Sequence, residues 1–413
     1  MPLELKWVGP EALDDLVAAR TEAYEDGASA AANVREQTLA DDRAAAGDYL
    51  LAYEGPRPVG TATSLSMQMS IRGAALPCQG IAWLGTARTH RRASGRFGGK
   101  GIASQLMEAA IQRGRERGDV VSALMPFRGS FYEEFGYGVV ERRVEWTIPM
   151  RTFPVGATGG LRLFEPNDAP ELAACLGRAV AAGQCDLARS PGRWAATITQ
   201  WSDGWTIVDR PTADGPIRGY MHLATRGIDP HRQAIVREQV YQDTPTLVRQ
   251  LRFLASLRDQ YAGAVLTLSS DLPLNLLLRE PQVLLESSSG QGPATVRTYN
   301  RMMLRVLDHK RLLEAMTWPS WAKGRTTIGI QESEGKLTRI TIDVADGRAA
   351  VTVGATAMPE AAISDNTWAQ IAVGELVATR AVAMGLIAVE TQGCLQILDA
   401  LKKGPSPFCH EDF

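Results

Sequence analysis

In the first third of the chain, short apolar runs of strand length alternate with longer stretches whose apolar positions recur at helical spacing. This alternation predicts a sheet flanked by helices. The clearest helix is Ile102–Arg117, where the apolar residues share one face and Gly118 is placed to end the helix at C′. A second helix is predicted over residues 12–30. The predicted strands cover residues 48–53, 58–66, 79–86, 120–125 and 144–149.

The middle third repeats the order of strand, helix and strand in weaker form. Its best helix covers residues 244–261, where Pro245 suits the first turn and leucines recur at core spacing. A further helix is predicted over residues 165–182. The strands of this part are predicted at residues 205–208, 219–223, 234–241 and 264–268. The recurrence is on the scale of whole domains.

The last third has a different pattern, with a predicted hairpin followed by helices. Asp346-Gly347 separates strands predicted at 337–344 and 349–353, which is a strong hairpin signal. Ser364-Asp365-Asn366 caps a helix that starts near Thr367, and a second helical stretch covers residues 375–384. This is an α+β pattern. Because no low-complexity linker separates the thirds, we expect the domains to pack firmly together.

Size and composition indicate a globular protein of several domains. The 413 residues, 45% hydrophobic and 22% charged, suit roughly three domains. A net charge of −2 gives no field that would favour nucleic acid or an anionic membrane. No apolar run approaches the length of a membrane span, and no secretion signal follows the first residues. The five cysteines and five histidines are scattered, so we expect a reduced, cytoplasmic protein without a metal.

A loop rich in arginine and glycine carries the first chemical signal. It follows the strand at 79–86 and leads through Lys100 and Gly101 directly into the helix Ile102–Arg117. A helix N-terminus offers unpaired N–H groups and a positive dipole end, and glycine lets that backbone approach a pyrophosphate. An ordinary basic surface loop is the alternative interpretation of this segment.

The surroundings of the loop resemble the GNAT superfamily of acyl-CoA-dependent N-acyltransferases. Arg91-Arg92, then Lys100-Gly101-Ile102-Ala103, an amphipathic helix, an apolar strand and the run from Phe131 to Gly138 follow the order of that family. In the family's loop pattern of Arg/Gln-x-x-Gly-x-Gly/Ala, Gly101 and Ala103 fit the second half, whereas the first position falls on Gly98. Residues 93–99 therefore look like an insertion. The resemblance implies a mixed sheet flanked by helices and acetyl-CoA as the co-substrate.

The same resemblance implies which residues hold the acetyl-CoA. The backbone around Leu84 and Thr86 would pair with the pantetheine amides, as in strand addition. The backbone of residues 99–103 is the more secure part of the phosphate cradle, because it depends on geometry and not on one side chain. The cofactor-binding residues implied are Leu84, Thr86, Arg91, Arg92, Gly99, Lys100, Gly101, Ile102 and Ala103.

Tyr132 occupies the position of the tyrosine that, in many GNAT enzymes, protonates the departing CoA thiolate. A phenol with a pKa of ~10 is a reasonable donor to a thiolate of comparable basicity. The alternative role for Tyr132 is that of an aromatic residue in the hydrophobic core. This is the role we assign to the neighbouring Phe135 and Tyr137.

Over nearly its whole length the chain resembles the enhanced intracellular survival (Eis) family. That resemblance implies a catalytic GNAT domain at 1–150, a degenerate GNAT-like domain at 151–298 and a sterol-carrier-protein-like domain at 299–413. The matches are Thr89-His90-Arg91-Arg92, Tyr132 with the glycines after it, the Asp365-Asn366-Thr367-Trp368 helix start and the terminal aromatic Phe413. The family also implies a hexamer.

In that family the terminal carboxylate reaches the first active site and serves as base, a role that falls on Phe413 here. An α-carboxylate with a pKa of ~3.5 is a weak base, so binding a cationic amine is its clearer contribution. Glu411 and Asp412 would add negative charge, and Asp26 lies on the early helix that walls the acceptor site. For each acid, a solvated surface charge is the alternative.

The resemblance implies acetylation of aminoglycoside amines, lysine side chains, or both. Two other functions stay open: a GNAT enzyme with a narrow biosynthetic amine and a longer acyl donor, or a lipid-binding or regulatory module without turnover. In the second domain, Asp243 and Pro245 stand where a cradle would be, which predicts no CoA site there. The third domain is expected to support the tail that carries Phe413.

Overall fold

The computed structural model describes residues 3–27, 29–44, 48–91, 100–279 and 294–413, and within these ranges the chain forms three sheets flanked by helices. The strands are β1 (Leu3–Val8), β2 (Tyr49–Glu54), β3 (Arg57–Ile71), β4 (Ala74–Thr86), β5 (Val121–Leu124), β6 (Gly138–Val139), β7 (Arg142–Pro149), β8 (Leu161–Leu163), β9 (Asp186–Leu187), β10 (Trp205–Asp209), β11 (Gly219–Arg226), β12 (Gln233–Tyr241), β13 (Gly263–Ser269), β14 (Thr295–Asn300), β15 (Met303–Val306), β16 (Gly324–Gln331), β17 (Leu337–Ala345), β18 (Arg348–Val353), β19 (Ala361–Ser364) and β20 (Ala388–Val389).

The helices lie on both faces of the sheets. They are α1 (Leu13–Tyr24), α2 (Ala30–Ala40), α3 (Ile102–Arg117), α4 (Gly129–Glu133), α5 (Ala169–Ala182), α6 (Pro191–Gln200), α7 (Thr244–Ser256), α8 (His309–Ala315), α9 (Asp365–Ala372), α10 (Ala378–Ala383) and α11 (Gln392–Ala400). Short 3₁₀ turns lie at Pro10–Ala12, Arg88–His90, Met150–Thr152, Pro166–Asp168, Trp201–Asp203 and Leu274–Leu276. Among the described residues, no helix has the length and hydropathy of a membrane span.

The first two sheets share one plan, in which a parallel pair of strands stands among antiparallel neighbours. The first sheet has the order β1-β2-β3-β4-β5-β15-β6, with β9 added on β3, and β4 and β5 are its parallel pair. The second has the order β14-β7-β13-β12-β11-β10-β8, with β12 and β13 parallel. This arrangement confirms the prediction of tandem mixed sheets with flanking helices.

The two sheets exchange strands across the predicted chain divisions. β7 precedes residue 150 but pairs with β13 and β14 in the second sheet. β15 follows residue 298 but lies between β5 and β6 in the first sheet. Chain segments and sheets therefore do not coincide at these two divisions.

The third sheet, of order β18-β17-β16-β19-β20, contains the predicted hairpin at Asp346-Gly347, where both residues have positive φ. Its apolar face joins the first sheet in one large cluster that includes Val121, Leu304, Ile328 and Trp368. A sterol-carrier-like fold for this part stays a prediction.

Three predicted helices differ from the structure. The single helix predicted at 12–30 is wrong, because the chain breaks after Tyr24 and resumes helical structure at Ala30, with Gly27 at φ +102 between them. α7 ends at Ser256, five residues early, and α10 begins at Ala378 instead of 375. By contrast, α3 has the predicted bounds, and Gly118 ends it in the left-handed conformation.

Candidate active site

The parallel strands β4 and β5 separate partway along their length. They pair only from Cys78 with Val121 to Gly80 with Ala123. β4 continues to Thr86, still paired with β3 on its other edge. The edge of β4 beyond Gly80 therefore has no strand partner within the described residues. An unpaired strand edge is a row of hydrogen-bonding groups that an extended ligand can complete.

A β-bulge turns this edge toward the opening. The pairing of β3 with β4 shifts between Thr61 and Thr63, and Trp83 at the bulge has a φ of 53°. The N–H of Ala87 donates to the Val59 carbonyl on the β3 side. Since consecutive strand residues direct their backbone groups to opposite edges, those of Thr86 and Leu84 face the open side. The two residues predicted to bind pantetheine are thus placed on the open edge.

Helix α3 begins beside this opening, and no side chain in the described ranges caps its first turn. Gly101 is the N-cap, and a Cβ placed on it would have no described atom within 4 Å. Ile102 is buried in the core, which fixes the start of the helix, and Lys100 forms an ion pair with Glu108. Among the residues that the structure describes, no side chain accepts from the N–H groups of the first turn, including that of Ala103, and such groups suit an anion. Arg92 and Gly99 lie outside the described residues, as does the expected insertion at 93–99.

Arg91 makes contacts that differ from the predicted phosphate contact. Its Nη2 donates to the Ala23 carbonyl at 2.9 Å, and its Nε lies 3.5 Å from the Thr86 carbonyl oxygen. The guanidinium thus ties the end of β4 to helix α1. Next to it, His90 is buried, and its Nε2 lies 3.0 Å from a Glu54 carboxylate oxygen.

Tyr132 lies in helix α4 with its ring 4% exposed. Its ring meets those of Phe131 at 5.1 Å, Phe127 at 5.9 Å and Tyr137 at 6.5 Å. Burial raises the pKa of Tyr132 to about 12, and its hydroxyl has no hydrogen-bond partner in the described part of the chain. Tyr132 and Leu84 belong to one apolar cluster, which places the phenol on the core beside the open edge. The group is therefore protonated at neutral pH and free to donate.

The tail of the chain is fixed by buried charges. The Glu411 carboxylate accepts from Arg189 Nε at 2.6 Å and from Arg193 Nε at 2.9 Å, and Glu411 is 3% exposed. His410 bonds Asp186 at 2.7 Å. Phe413 lies partly buried against the large apolar cluster that joins the first and third sheets. The second domain thus supplies the arginines that hold the tail.

The other acids predicted to bind substrate are also engaged. Asp412 pairs with Arg301, and Arg43 donates to the Asp412 carbonyl at 3.1 Å. Asp26 pairs with Arg88 at 3.3 Å but is largely exposed. Glu411 in particular is neutralised by two arginines, a geometry that makes it an anchor for the tail and disfavours the predicted contact with an amine.

Sequence reasoning missed a cluster on the other side of the opening. The Arg20 guanidinium lies 4.7 Å from the centre of the Trp83 ring, and Tyr24 meets that ring edge-on at 5.5 Å. Arg20 also donates to Thr63 Oγ1 at 2.7 Å, and burial lowers its pKa to about 10. A bulge that turns Trp83 toward helix α1 leaves no signal in the sequence, so this cluster could not have been found there.

The N-terminus of α7 in the second sheet is capped by the chain itself. Asp243 Oδ1 accepts from the Thr246 N–H at 2.8 Å and from Thr246 Oγ1 at 2.7 Å, and Arg218 pairs with the same carboxylate. Hydrogen bonds from Arg218 and Thr246 lower the pKa of Asp243 to about 2. A permanent anion therefore occupies the place where a phosphate would bind.

Comparison with known proteins agrees with this geometry. Residues 4–140 and residues 185–306 each match a family described as acetyltransferase (GNAT) domain. An N-acetyltransferase of Streptomyces avermitilis is 24% identical over 402 residues, covering 88% of this chain and 87% of the relative. One from Streptomyces griseus is 23% identical over 417 residues, covering 92% and 94%. Both are described as uncharacterised.

Solved structures share the fold over the whole chain. A GCN5-related N-acetyltransferase from Anabaena variabilis superposes with a TM-score of 0.82 at 18% identity, and Eis1 from Mycobacterium abscessus with 0.79 at 19%. Each comparison covers 100% of both chains.

The two matched segments span more than half of the chain, which belongs to the GNAT acetyltransferases and is an enzyme of that class. It is an N-acetyltransferase with the Eis-like architecture of two GNAT domains followed by a third sheet. Enzymes of this class use acetyl-CoA. No group of three His, Cys, Asp or Glu side chains that could hold a metal ion occurs in the described ranges.

Proposed function

We propose that the enzyme acetylates primary amines in the opening between β4 and β5, with Tyr132 as general acid. The observation that carries this proposal is the unpaired edge of β4 from Ile81 to Thr86, which runs from the buried Tyr132 cluster to the uncapped start of α3. An extended pantetheine arm suits that edge, and a pyrophosphate suits the N–H groups at Gly101.

The chemistry requires two proton transfers. The neutral amine nitrogen attacks the thioester carbonyl carbon, and collapse of the adduct breaks the C–S bond. Tyr132 gives its hydroxyl proton to the departing thiolate, while the amine loses one proton to a base. Burial raises the pKa of Tyr132 to about 12, so the phenol keeps its proton at neutral pH but is a weaker acid than an ordinary phenol, and the proton transfer depends on the thiolate becoming strongly basic as the C–S bond breaks.

For the base we propose the α-carboxylate of Phe413, acting through water or by binding the cationic form of the amine. The two residues before Phe413 are held by Arg189, Arg193, Arg43 and Arg301, so the end of the chain has one defined position. The carboxylate's ordinary pKa of ~3.5 makes electrostatic binding its stronger contribution.

The acceptor is proposed as an aminoglycoside-type polyamine or a lysine side chain, in the hexameric assembly that the Eis resemblance implies. One observation favours a second candidate, a narrower amine substrate. Glu411 is buried against Arg189 and Arg193, so at least one fewer carboxylate faces a polycation than the sequence suggested.

Thiol release from acetyl-CoA tests these proposals, with kanamycin, spermine, a lysine peptide and simple monoamines as acceptors. Turnover of kanamycin at several amines supports the polyamine acceptor, whereas turnover of monoamines alone supports the narrow substrate. No release with any amine from folded protein would contradict the proposed reaction.

The role of Phe413 is tested in the same assay. Deletion of Phe413 moves the terminal carboxylate back by one residue, whereas Phe413→Ala keeps the carboxylate and removes the ring. Loss of activity in the deletion alone supports the carboxylate. Wild-type activity in both variants would remove the carboxylate from the mechanism. The same loss of activity in both variants would assign the effect to the ring.

A further inference from the structure

The segment that follows Tyr132, residues 133–139, lies directly against helix α9, which flanks the third sheet, and is called the Tyr132 loop below. Gln370 Nε2 donates to the Val139 carbonyl at 3.0 Å. A Cβ on Gly138 would overlap the Asn366 carbonyl oxygen, and one on Gly136 would overlap the Asp365 carboxylate. Both glycines of the Phe-Gly-Tyr-Gly run are therefore required by the approach of α9. Gly136, with a φ of 75°, is required by its backbone conformation as well.

Arg305 also holds the same loop, through a hydrogen bond to its backbone. It lies on β15, is 2% exposed, and donates through Nη1 to the Phe135 carbonyl at 2.8 Å. Its Nη2 pairs with Glu334 at 2.6 Å and lies 3.9 Å from Asp365. One buried cation thus joins the Tyr132 loop to the end of β16 and to the start of α9.

The loop's own hydrogen bonds transmit this position to Tyr132. The N–H groups of Phe135 and Tyr137 both donate to the Tyr132 carbonyl, at 3.0 and 3.2 Å. Because Phe135 in turn accepts from Arg305, any shift of α9 or Arg305 moves the backbone on which the phenol stands. When a general acid is displaced by even about 1 Å, the rate of the reaction falls steeply.

We propose that the third domain positions the Tyr132 hydroxyl through the contact of Gln370 with the Tyr132 loop. Arg305, which donates to the Phe135 carbonyl, contributes to the same positioning. The inference rests on the proposed role of Tyr132 as general acid. It assigns the third domain a part in acetyl transfer that requires no lipid, and it makes Arg305 and Gln370 positioning residues that never touch substrate.

Arg305→Met would leave Glu334 without its buried partner and risks unfolding, so Gln370→Ala is the primary variant and Gly138→Ala the second. Trp368→Phe is the matched control. It lies on the same helix, and its indole donates to His309 Nδ1 at 3.1 Å. The control measures what destabilising α9 does when the bond from Gln370 to the Val139 carbonyl is kept.

The test is a double-mutant cycle that combines Gln370→Ala with Tyr132→Phe. Two rates are measured for each enzyme: acetyl-CoA turnover with the best acceptor amine, and the slow hydrolysis of acetyl-CoA. We expect Gln370→Ala to lower kcat about tenfold with little change in the KM for acetyl-CoA, and to add nothing in the Tyr132→Phe background. An acetyl thioester of an acidic aryl thiol, whose thiolate leaves without a proton, should react at nearly the same rate with the wild type and with both single variants.

Three results would overturn the proposal. If the fold losses of kcat in Gln370→Ala and Tyr132→Phe multiply in the double variant, Gln370 acts independently of Tyr132. An equal loss in Trp368→Phe would show general destabilisation. A Tyr132→Phe enzyme with full activity would remove the general acid itself, a failure of the proposed function that is distinct from the other two because it is visible without any third-domain variant.

Discussion

The two GNAT-like sheets contain the same opening, and they differ in what faces it. In the first, β4 leaves β5 after Gly80, and α3 starts at Gly101 with no cap from any side chain in the described part of the chain. In the second, β12 leaves β13 after Ile235, but α7 starts with Asp243 bonded to its own first turn. The fold supplies an opening twice, and the first residues of the helix that faces it distinguish an anion site, at Gly101, from a filled one, at Asp243 and Pro245.

The second opening also lies against the chain's own tail. A cavity of about 320 Å³ there is lined by Gln239 of β12, Thr267 of β13, and Phe408 and His410 of the tail. The neighbouring Glu411 is held by Arg189 and Arg193. The second domain has thus become a support for the tail while keeping the sheet of an acetyltransferase.

The largest expected effect distinguishes the buried Tyr132 from the partly buried Tyr241. Tyr132→Phe should lower kcat about 100-fold, since it removes the general acid, whereas Tyr241→Phe should leave turnover unchanged. Tyr241 is the matched control because it stands at the second opening, and burial also raises its pKa to about 12. Steady-state kinetics check both variants. Equal activity of the two would contradict a special role for the first opening.

A transplanted cap should close the first site. Gly101→Asp fits without strain, because Gly101 has a φ of −66° and open space at its Cβ. Its carboxylate would accept from the N–H of Ser104 and repel the pyrophosphate, so we expect acetyl-CoA to bind at least tenfold more weakly by calorimetry. Gly101→Asn, matched in size without the charge, should lose less. Unchanged affinity in Gly101→Asp would place the phosphates elsewhere.

Removing the cap from the second site should not open it. Asp243→Ala should lower the free energy of unfolding by about 1 kcal/mol in urea, while calorimetry still finds one acetyl-CoA per chain, because Pro245 lacks an N–H. Asp243→Asn, which keeps the cap geometry, is the milder control. A second acetyl-CoA bound to Asp243→Ala would show that the cap alone blocks the site.

The same cap predicts a dependence of stability on pH. Arg218 and Thr246 lower the pKa of Asp243 to about 2 in the folded chain, below its ordinary value of ~3.9. Its contribution is therefore complete above pH ~4 and is lost as the pH falls toward about 2. Acid unfolding of the wild type and Asp243→Ala should converge over that interval. A gap between the curves that persists at pH 2 would contradict this.

The smallest expected effect is that kcat shows no decline near pH 10. A general acid must keep its proton, so kcat should stay level on the alkaline side until the pH approaches about 12, the raised pKa of Tyr132. With an ordinary phenol, kcat would fall near pH 10. Rates measured from pH 7 to 10.5 on folded protein distinguish the two, and a decline centred at pH 10 would show that Tyr132 is more exposed during turnover.

Local patterns located much of the fold but not its long-range pairings. The helix Ile102–Arg117, its end at Gly118 and the hairpin at Asp346-Gly347 follow from residue type and spacing, and the structure has all three. The exchange of β7 and β15 between the two sheets has no local signal, because strand partners are chosen by packing over more than a hundred residues. The break between α1 and α2 was missed for a related reason: alanine-rich sequence favours a helix on both sides of it.

The amino-acid sequence by itself determined the elements whose physics is local: the glycine at the start of α3, the acid and proline at the start of α7, and the tyrosine before Phe-Gly-Tyr-Gly. The tertiary structure decided what those elements do together. It directs the Leu84 and Thr86 backbone to an open edge, pairs the predicted substrate acids with arginines, and sets α9 against the Tyr132 loop. Charge and exposure depend on neighbours distant in sequence, and only the folded chain brings those neighbours into contact.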